Sequence, residues 1–207
     1  MNKEDNTEYP TDYSRFDEIY DTGFWLSKES RSGWGSEMRF TEHIRKMLPQ
    51  LVEWLDIKSM VDVSCGDLNW VKHILPEMDM KYIGRDVSKI IIAQDKEHFP
   101  ELDLGVMNIV EDIPPKADLI FVRDTFMHMP TADIEDAIDN FKGSGAKYLL
   151  ASTFNVGENG TTHPGGHRDF DVTTILGEPL LYIPDNSQGY DNYYYKSMGL
   201  WALNEDN

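Results

Sequence analysis

The sequence contains a single cysteine, Cys65, so no disulfide bond can form within the chain. Basic residues are also few, because 19 lysines and arginines stand against 37 aspartates and glutamates, for a formal net charge of −18. Such a charge repels phosphate backbones and argues against nucleic acid as a partner. Solubility, or an organism with an acidic proteome, would explain the charge, and a DNA-mimicking surface that captures a DNA-binding protein is a narrower alternative.

Long apolar runs are absent as well. No run reaches the roughly 20 residues that a membrane-spanning helix needs, and residues 1–10 lack the basic-then-apolar order of a signal peptide. We therefore expect a cytoplasmic protein without membrane contact. The length of 207 residues suits one domain with a substantial core, and the sequence predicts no particular oligomeric state.

From residue 59 onward, short apolar strands alternate with helices. The predicted strands are 59–63, 81–86, 102–107, 118–123 and 147–152, and the predicted helices are 69–75, 89–98 and 131–141. Strands joined by crossover helices predict an α/β fold with a doubly wound, mostly parallel sheet and helices on both faces. Two last strands, 180–183 and 196–203, would form an antiparallel hairpin at its edge, for seven strands in all.

The flanking segments complete this single domain, which spans residues 14–207 after a loose acidic N-terminus, 1–13. Residues 14–57 predict a helical cap, in which Thr41 is the N-cap of a helix at 42–55 that is broken or bent near Pro49. Residues 155–195 would form a loop on the substrate side and an edge strand, because long loops in compact domains are often functional. The aromatic run at 190–196 is typical of strand or core residues.

The stretch VDVSCGDLNW, residues 61–70, is the most informative part of the chain. Asp62 ends the first strand, and a small-residue turn with Gly66 follows, where the backbone can approach a ligand before a helix opens. Asp86 ends the second strand twenty residues after Gly66, the distance at which an acidic residue can bind ribose hydroxyls. A simple turn is one alternative, and NAD binding is another, although the full Gly-x-Gly-x-x-Gly is absent.

This stretch resembles the first motif of Rossmann-like (class I) S-adenosylmethionine-dependent methyltransferases, an acidic residue followed by Gly-x-Gly-x-Gly. Ser64 and Leu68 stand at the first and third glycine positions. The chain is similar, from about Phe16 onward, to a set of small bacterial and viral methyltransferase-like proteins of uncertain substrate. The matching stretches are SGWGS (32–36), VDVSCGD (61–67), YIGRDVS (82–88), ADLIFVRDTFMHMP (117–130), YLLASTF (148–154) and KSMGLWAL (196–203).

The resemblance implies S-adenosylmethionine as the cofactor, bound at the strand ends. Asp62, Ser64 and Gly66 would surround its methionine part, and Ser64 would be tolerated there if its backbone keeps a negative φ. The ribose would be bound by Asp86, and the adenine would lie beside Val87.

Further contacts follow from the same resemblance. Asn108 stands where these proteins often carry an aspartate that bonds the adenine amino group. Arg123 and Asp124 would lie next to the transferred methyl group. Trp34 could cover the cofactor, and Arg39 could meet its carboxylate, although a packed aromatic and a surface arginine are the alternatives.

Methyl transfer is a direct displacement, so the protein mainly aligns the nucleophile. An oxygen nucleophile also needs a proton acceptor, for which His128 is the candidate. The alternative for His128 is a histidine that bonds the backbone and positions its loop. Asp124 could orient the substrate or the cofactor ammonium group, or it could cap a turn.

The stretch THPGGHRDFD, residues 162–171, supplies the candidate substrate contacts His163, His167, Arg168 and Asp169. A solvated loop is the alternative. Metal binding by the two histidines and an aspartate meets no zinc or iron spacing pattern, so no metal is expected.

Three functions remain open at this stage. The leading one is a methyltransferase acting on a small molecule, with a sugar or glycan hydroxyl as the first guess, because the surface is acidic and the loop polar. The second is a nucleic-acid or protein methyltransferase. The third is an inactive S-adenosylmethionine-binding protein or acidic decoy, since two motif glycines are replaced.

Overall fold

A computed structural model describes residues 12–185 and 195–203, so most of the expected loose N-terminus and residues 190–194 of the aromatic run lie outside it. The strands are β1 (Ser59–Val63), β2 (Lys81–Asp86), β3 (Asp103–Val106), β4 (Leu119–Val122), β5 (Tyr148–Phe154), β6 (Leu181–Pro184) and β7 (Lys196–Ala202). The α-helices are α1 (Arg15–Thr22), α2 (Glu42–Trp54), α3 (Lys89–His98), α4 (Thr131–Gly143) and α5 (Thr173–Leu176).

The seven strands form one sheet in the order β3-β2-β1-β4-β5-β7-β6. Strands β1 to β5 pair in parallel, whereas β7 is antiparallel to both β5 and β6. This confirms the predicted fold class, including the antiparallel pair at the edge. The strand order reverses between β1 and β4, and in open α/β sheets ligands bind at the carboxyl ends of strands at such a point.

Apolar side chains cover both faces of the sheet. The core on one face includes α2 residues such as Ile44 and Leu48, and the core on the other includes α4 residues such as Ile134 and Ile138. Strand β4 is buried along its whole length, as expected for a parallel strand between two helical layers. In the parts of the chain that are described, no helix combines the length and apolar character needed to cross a membrane.

Two local predictions in the cap need correction. Helix α2 runs through Pro49 as one 13-residue helix rather than breaking there. Thr41 does precede it, but its hydroxyl donates to the carbonyls of Glu37 and Met38 and does not cap the helix.

The helix predicted at 69–75 is also wrong. Two short 3₁₀ turns, Val71–His73 and Leu75–Glu77, replace it. Pro76 explains the interruption, because proline has no N–H to donate and its ring clashes with the carbonyl four residues earlier in an α-helix. Trp70, Val71 and Ile74 are nevertheless buried, which accounts for the apolar pattern that suggested a helix.

Candidate active site

A cavity of about 670 Å³ opens at the carboxyl ends of β1, β2 and β4, a volume typical of small-molecule sites. Helix α1 and the loop around Trp34 cover it from one side, and residues 163–167 border it from another. The predicted site residues that line it are Trp34, Asp62, Ser64, Asp86, Val87, Asn108, Arg123, Asp124, His128, His163 and His167.

The loop after β1 keeps a glycine-like backbone despite its replaced glycines. The φ angles are +65° at Ser64, +58° at Gly66 and +54° at Leu68, all in the left-handed region. Ser64 therefore does not have the negative φ that was the condition for tolerating serine at this position. A side chain at Gly66 would place its Cβ 2.2 Å from Ser32 Oγ, so the close approach of the cap requires glycine there.

The N–H groups of this loop are bound within the protein. Gly66 N donates to Asp86 Oδ2 at 3.1 Å, and Asp67 N donates to Ser32 Oγ at 3.0 Å. Because no α-helix follows the loop, the predicted helix N-terminus is not part of this site. Gly66 does not line the cavity and instead holds the Asp86 carboxylate in place.

Asp67 fastens the cap to the loop after β1. Its carboxylate accepts hydrogen bonds from Ser30 Oγ, Ser32 Oγ and the backbone N–H of Arg31. On the other side of the cap, Arg123 Nη1 donates to the carbonyl of Gly35 at 2.9 Å. Trp34 lies between these two anchors. It lines the cavity and is 56% exposed, a position that suits a residue covering the cavity.

Asp62 and Asp86 are buried carboxylates at adjacent strand ends. Asp62 Oδ2 accepts from the Tyr82 hydroxyl at 2.8 Å, and Asp86 Oδ1 accepts from Ser88 N at 2.9 Å. Burial raises the pKa of Asp62 to about 7 and that of Asp86 to about 6. Among the described residues neither forms an ion pair, so both favour a ligand that donates hydrogen bonds or carries positive charge.

The third strand end adds an apolar wall with one amide. Val87, Met107 and Ile109 line the cavity beside Asn108. Asn108 Oδ1 accepts from Val110 N at 3.1 Å, which fixes the side chain in a turn. This arrangement suits a flat, largely apolar ring that needs one polar contact at its edge.

A buried cluster of four charges closes the cavity at β4. Arg123 Nε and Nη2 donate to the two carboxylate oxygens of Asp185 at 3.0 and 3.1 Å. Lys196 Nζ lies 2.5 Å from Asp124 Oδ1 and 3.1 Å from Asp185 Oδ2. Burial acts to raise the pKa of Asp124, but Lys196 and Arg123 hold this pKa far below its usual value. Arg123 and Asp124 are thus bound to protein partners, and Asp124 is too weak a base to take a proton.

His128 lies in the 3₁₀ turn Phe126–His128, just past β4. Its Nδ1–H donates to the carbonyl of Gly166 at 2.6 Å, which leaves Nε2 as the acceptor nitrogen of the neutral ring. Burial lowers its pKa, so the ring is neutral near pH 7. The backbone bond also fits the alternative in which His128 only positions the loop.

Four predicted residues lie outside the cavity: Arg39, Gly66, Arg168 and Asp169. The Arg39 side chain is 67% exposed and pairs with Glu37, so its sequence-based contact with the cofactor carboxylate lacks a structural basis. Arg168 is buried against backbone carbonyls. Asp169 accepts a hydrogen bond from the Tyr195 hydroxyl.

The sequence interpretation missed an aromatic wall that faces His128. Tyr13, Phe16, Tyr20 and Trp25 line the cavity, and the Trp25 and His128 ring centroids lie 5.6 Å apart. Spacing was the available signal, because residues 13, 16 and 20 fall on one face of a helix. No group of three or more histidine, cysteine or acidic side chains able to hold a metal occurs in residues 12–185 and 195–203.

The sequence matches no protein-family model and no curated protein. The structure, in contrast, is similar to solved methyltransferases. The N-methyltransferase NodS from Bradyrhizobium japonicum WM9, in complex with S-adenosyl-L-homocysteine, superposes with a TM-score of 0.63 at 17% identity, over 91% of this chain and 100% of NodS.

Two further structures agree. Magnesium protoporphyrin IX methyltransferase (ChlM) from Synechocystis PCC 6803 with bound S-adenosylmethionine gives a TM-score of 0.62 at 15% identity, over 94% of this chain and 98% of ChlM. The methyltransferase domain of bacterial CtHen1-C gives 0.60 at 14% identity, over 80% and 100%. The chain therefore has the fold of the Rossmann-like S-adenosylmethionine-dependent methyltransferases.

Proposed function

We propose that this protein is an S-adenosylmethionine-dependent methyltransferase that acts on a small molecule. The observation that carries the proposal is Asp86, a buried carboxylate at the end of β2 that lines the cavity and is held by the N–H groups of Gly66 and Ser88. NodS and ChlM, which share the fold, were crystallised with S-adenosylhomocysteine and S-adenosylmethionine. The proposed cofactor follows from these two points together.

The residues around Asp86 fit each part of this cofactor. Asp86 would accept hydrogen bonds from the ribose hydroxyls, and the wall around Val87 would pack against the adenine, whose edge the Asn108 amide would bond. Asp62 would attract the ammonium group, because it is buried without a partner of opposite charge. The chemistry supplied by the bound cofactor is an electrophilic methyl group.

His128 is the residue that we assign as proton acceptor. Its Nε2 carries the lone pair once Nδ1–H is bound to Gly166, and its lowered pKa keeps the ring unprotonated at neutral pH. Asp124 is unsuited to this role, since Lys196 and Arg123 lower its pKa so far that its carboxylate is a poor proton acceptor. An acceptor hydroxyl presented to Nε2 could therefore lose its proton as the new bond to carbon forms.

The acceptor that we propose is a sugar or glycan hydroxyl. A sugar ring has an apolar face and polar edges, which suits the aromatic wall at Phe16 and Trp25 together with the imidazoles of His163 and His167. The predicted contacts to Arg168 and Asp169 no longer support this choice, because those side chains lie elsewhere. The net charge of −18 still argues against a nucleic-acid acceptor.

The alternative of an inactive protein loses part of its support. Serine and leucine replace two motif glycines, but Ser64 and Leu68 adopt the left-handed backbone that glycine would provide. The path of the loop is thus compatible with a bound cofactor.

Calorimetric titration with S-adenosylmethionine and S-adenosylhomocysteine tests the proposal. We expect binding by the wild type and a loss of affinity on the order of 10- to 100-fold in Asp86→Asn, because hydrogen bonds to a charged group are lost. Asp136→Asn, on the exposed side of α4, serves as the matched control. No binding of either compound would overturn the proposal, and unchanged affinity in Asp86→Asn would show that the cofactor is placed wrongly.

A second measurement addresses the acceptor and the base. Formation of S-adenosylhomocysteine is followed with monosaccharides, oligosaccharides, peptides and DNA, and turnover is expected with a sugar. His128→Asn should then reduce kcat by roughly 10²- to 10⁴-fold, the usual contribution of a positioned base. Unchanged turnover across pH in this variant would exclude His128 as the proton acceptor.

A further inference from the structure

Arg168 is a buried cation that has no acidic partner among the described residues. It is 7% exposed, and in the described part of the chain it forms no ion pair with a carboxylate. Its Nη2 donates to the carbonyl of Met129 at 2.8 Å, and its Nη1 donates to Thr131 Oγ1 at 2.9 Å and to the carbonyl of Gly160. Burying an unpaired charge costs free energy, and these hydrogen bonds offset part of that cost.

The bonds of Arg168 join two segments that are distant in sequence. Gly160 belongs to the loop after β5, whereas Met129 and Thr131 follow the turn that carries His128. Backbone hydrogen bonds also join these two segments. Arg168 N donates to the Met127 carbonyl at 3.0 Å, and Gly165 N donates to the His128 carbonyl at 3.0 Å. Phe170 packs under the guanidinium, 4.4 Å from ring centroid to Cζ.

Gly166 lies inside this connection, two residues before Arg168. Its carbonyl accepts the Nδ1–H of His128, and its own N–H donates to the His163 carbonyl at 2.8 Å. A side chain at Gly166 would put its Cβ 2.3 Å from Thr162 Oγ1, so the backbone is tightly enclosed. The direction of this carbonyl is thus set by how the loop is held.

We propose that Arg168 is a positioning residue that fixes the Gly166 carbonyl against Nδ1 and so keeps neutral His128 in its Nδ1–H form. A hydrated imidazole favours the opposite form, with the proton on Nε2. Holding the loop therefore leaves Nε2 free to accept a proton. The inference rests on the proposed function for its consequence in catalysis, whereas the position of the imidazole proton is a property of the protein alone. It replaces the predicted role of Arg168 as a substrate contact.

The direct test is nitrogen NMR of the histidine side chains in ¹⁵N-labelled protein without ligands, above the pKa of His128. The His128 signals are assigned by their loss in His128→Asn. In the wild type we expect a single Nδ1–H form. In Arg168→Gln we expect a substantial fraction with the proton on Nε2, and in Arg168→Lys a smaller fraction. A folded Arg168→Gln protein that keeps the pure Nδ1–H form would overturn the inference.

Two further variants distinguish a local effect at His128 from a general loss of structure. Arg45→Gln removes a comparable bond, from Arg45 Nη2 to the Met38 carbonyl, far from the loop, and should leave His128 unchanged. Thr131→Val removes only one partner of the guanidinium and should produce a small shift toward the Nε2–H form. If Arg168→Gln fails to fold, a pure Nδ1–H form in both Arg168→Lys and Thr131→Val would contradict the inference.

Activity provides a second readout. With an accepted substrate, Arg168→Gln should lower kcat by roughly 10- to 100-fold, part of the contribution of a positioned base, with little change in KM. The acidic limb of its pH profile should move to higher pH, because a loosened loop admits water to a ring whose pKa burial lowers. His167 and Asp124 are the titratable neighbours that also act on this pKa. A proton shift seen by NMR without any detectable turnover would leave the positioning role intact and contradict the proposed function.

Discussion

The cavity has two acidic ends that handle buried charge in opposite ways. At the end of β1 and β2, Asp62 and Asp86 are buried and form no ion pair with any described residue, and burial raises the pKa of both. At the end of β4, buried Asp185 and partly buried Asp124 lie against Arg123 and Lys196, and these two cations lower the pKa of Asp124. Two carboxylates face two cations there, so that cluster is neutral by itself.

This difference indicates separate tasks for the two ends. The β4 cluster joins three parts of the chain. Arg123 also holds the cap through the Gly35 carbonyl, Asp185 directly follows β6, and Lys196 begins β7. Its hydrogen-bonding capacity is largely used within the protein. The β1–β2 end keeps unbalanced negative charge, which a ligand with an ammonium group and ribose hydroxyls would complement.

Removing one member of the neutral cluster should have the largest effect. Asp185→Ala leaves Arg123 and Lys196 with a single carboxylate between them in a buried site. We expect the free energy of unfolding to fall by about 3–5 kcal/mol, as when other buried ion pairs are broken. Urea unfolding measures this loss.

The control for this variant is Asp139→Ala, which breaks an exposed pair with Lys142. Its cost should stay below about 1 kcal/mol, as is usual for surface ion pairs. Equal effects of the two substitutions would show that the buried cluster does not tie the cap to the sheet edge.

The β1–β2 end should make the free energy of unfolding depend on pH. The folded protein raises the pKa of Asp62 to about 7, whereas an unfolded aspartate titrates near 4. Between these values the folded state binds the extra proton, so the stability from protonated Asp62 is complete below about pH 4 and is lost as pH rises through about 7. Asp62→Asn should therefore gain about 2–4 kcal/mol relative to the wild type over this range.

Urea unfolding of both proteins at several pH values, without ligand, checks this expectation. Asp136→Asn, an exposed aspartate on α4, is the control and should follow the wild type. Parallel curves for Asp62→Asn and the wild type would mean that Asp62 is ionised throughout, and the contrast between the two ends would disappear.

The two ends also differ in how well the sequence predicted them. The bounds of β1 and β2 were predicted to the residue. A short apolar run and an acidic residue near its end are local patterns, which the sequence shows directly. The β4 cluster was not predicted, since Asp185 is 62 residues from Arg123 in sequence and only the folded sheet brings them together.

Two arginines show the same limit. Arg39 and Arg168 both looked like ligand contacts, yet one side chain is exposed and the other is buried. Whether an arginine reaches solvent or a carbonyl depends on tertiary packing, which its neighbours in sequence do not reveal. Backbone strain is hidden in the same way, because serine and leucine gave no sign of the left-handed conformation at Ser64 and Leu68.

That strain offers the smallest and sharpest test of the β1–β2 end. A left-handed conformation costs a residue with a side chain about 1–2 kcal/mol, and glycine loses about 0.5–1 kcal/mol in chain entropy. Ser64→Gly, at φ +65°, should therefore stabilise the protein by about 0.5–1 kcal/mol, whereas Ser14→Gly, at φ −60° on the surface, should destabilise it by a similar amount. Destabilisation in both would show that Ser64 bears no strain. If Ser64→Gly is more stable but binds S-adenosylmethionine less tightly, the Ser64 hydroxyl contacts the cofactor, and the strain is retained for binding.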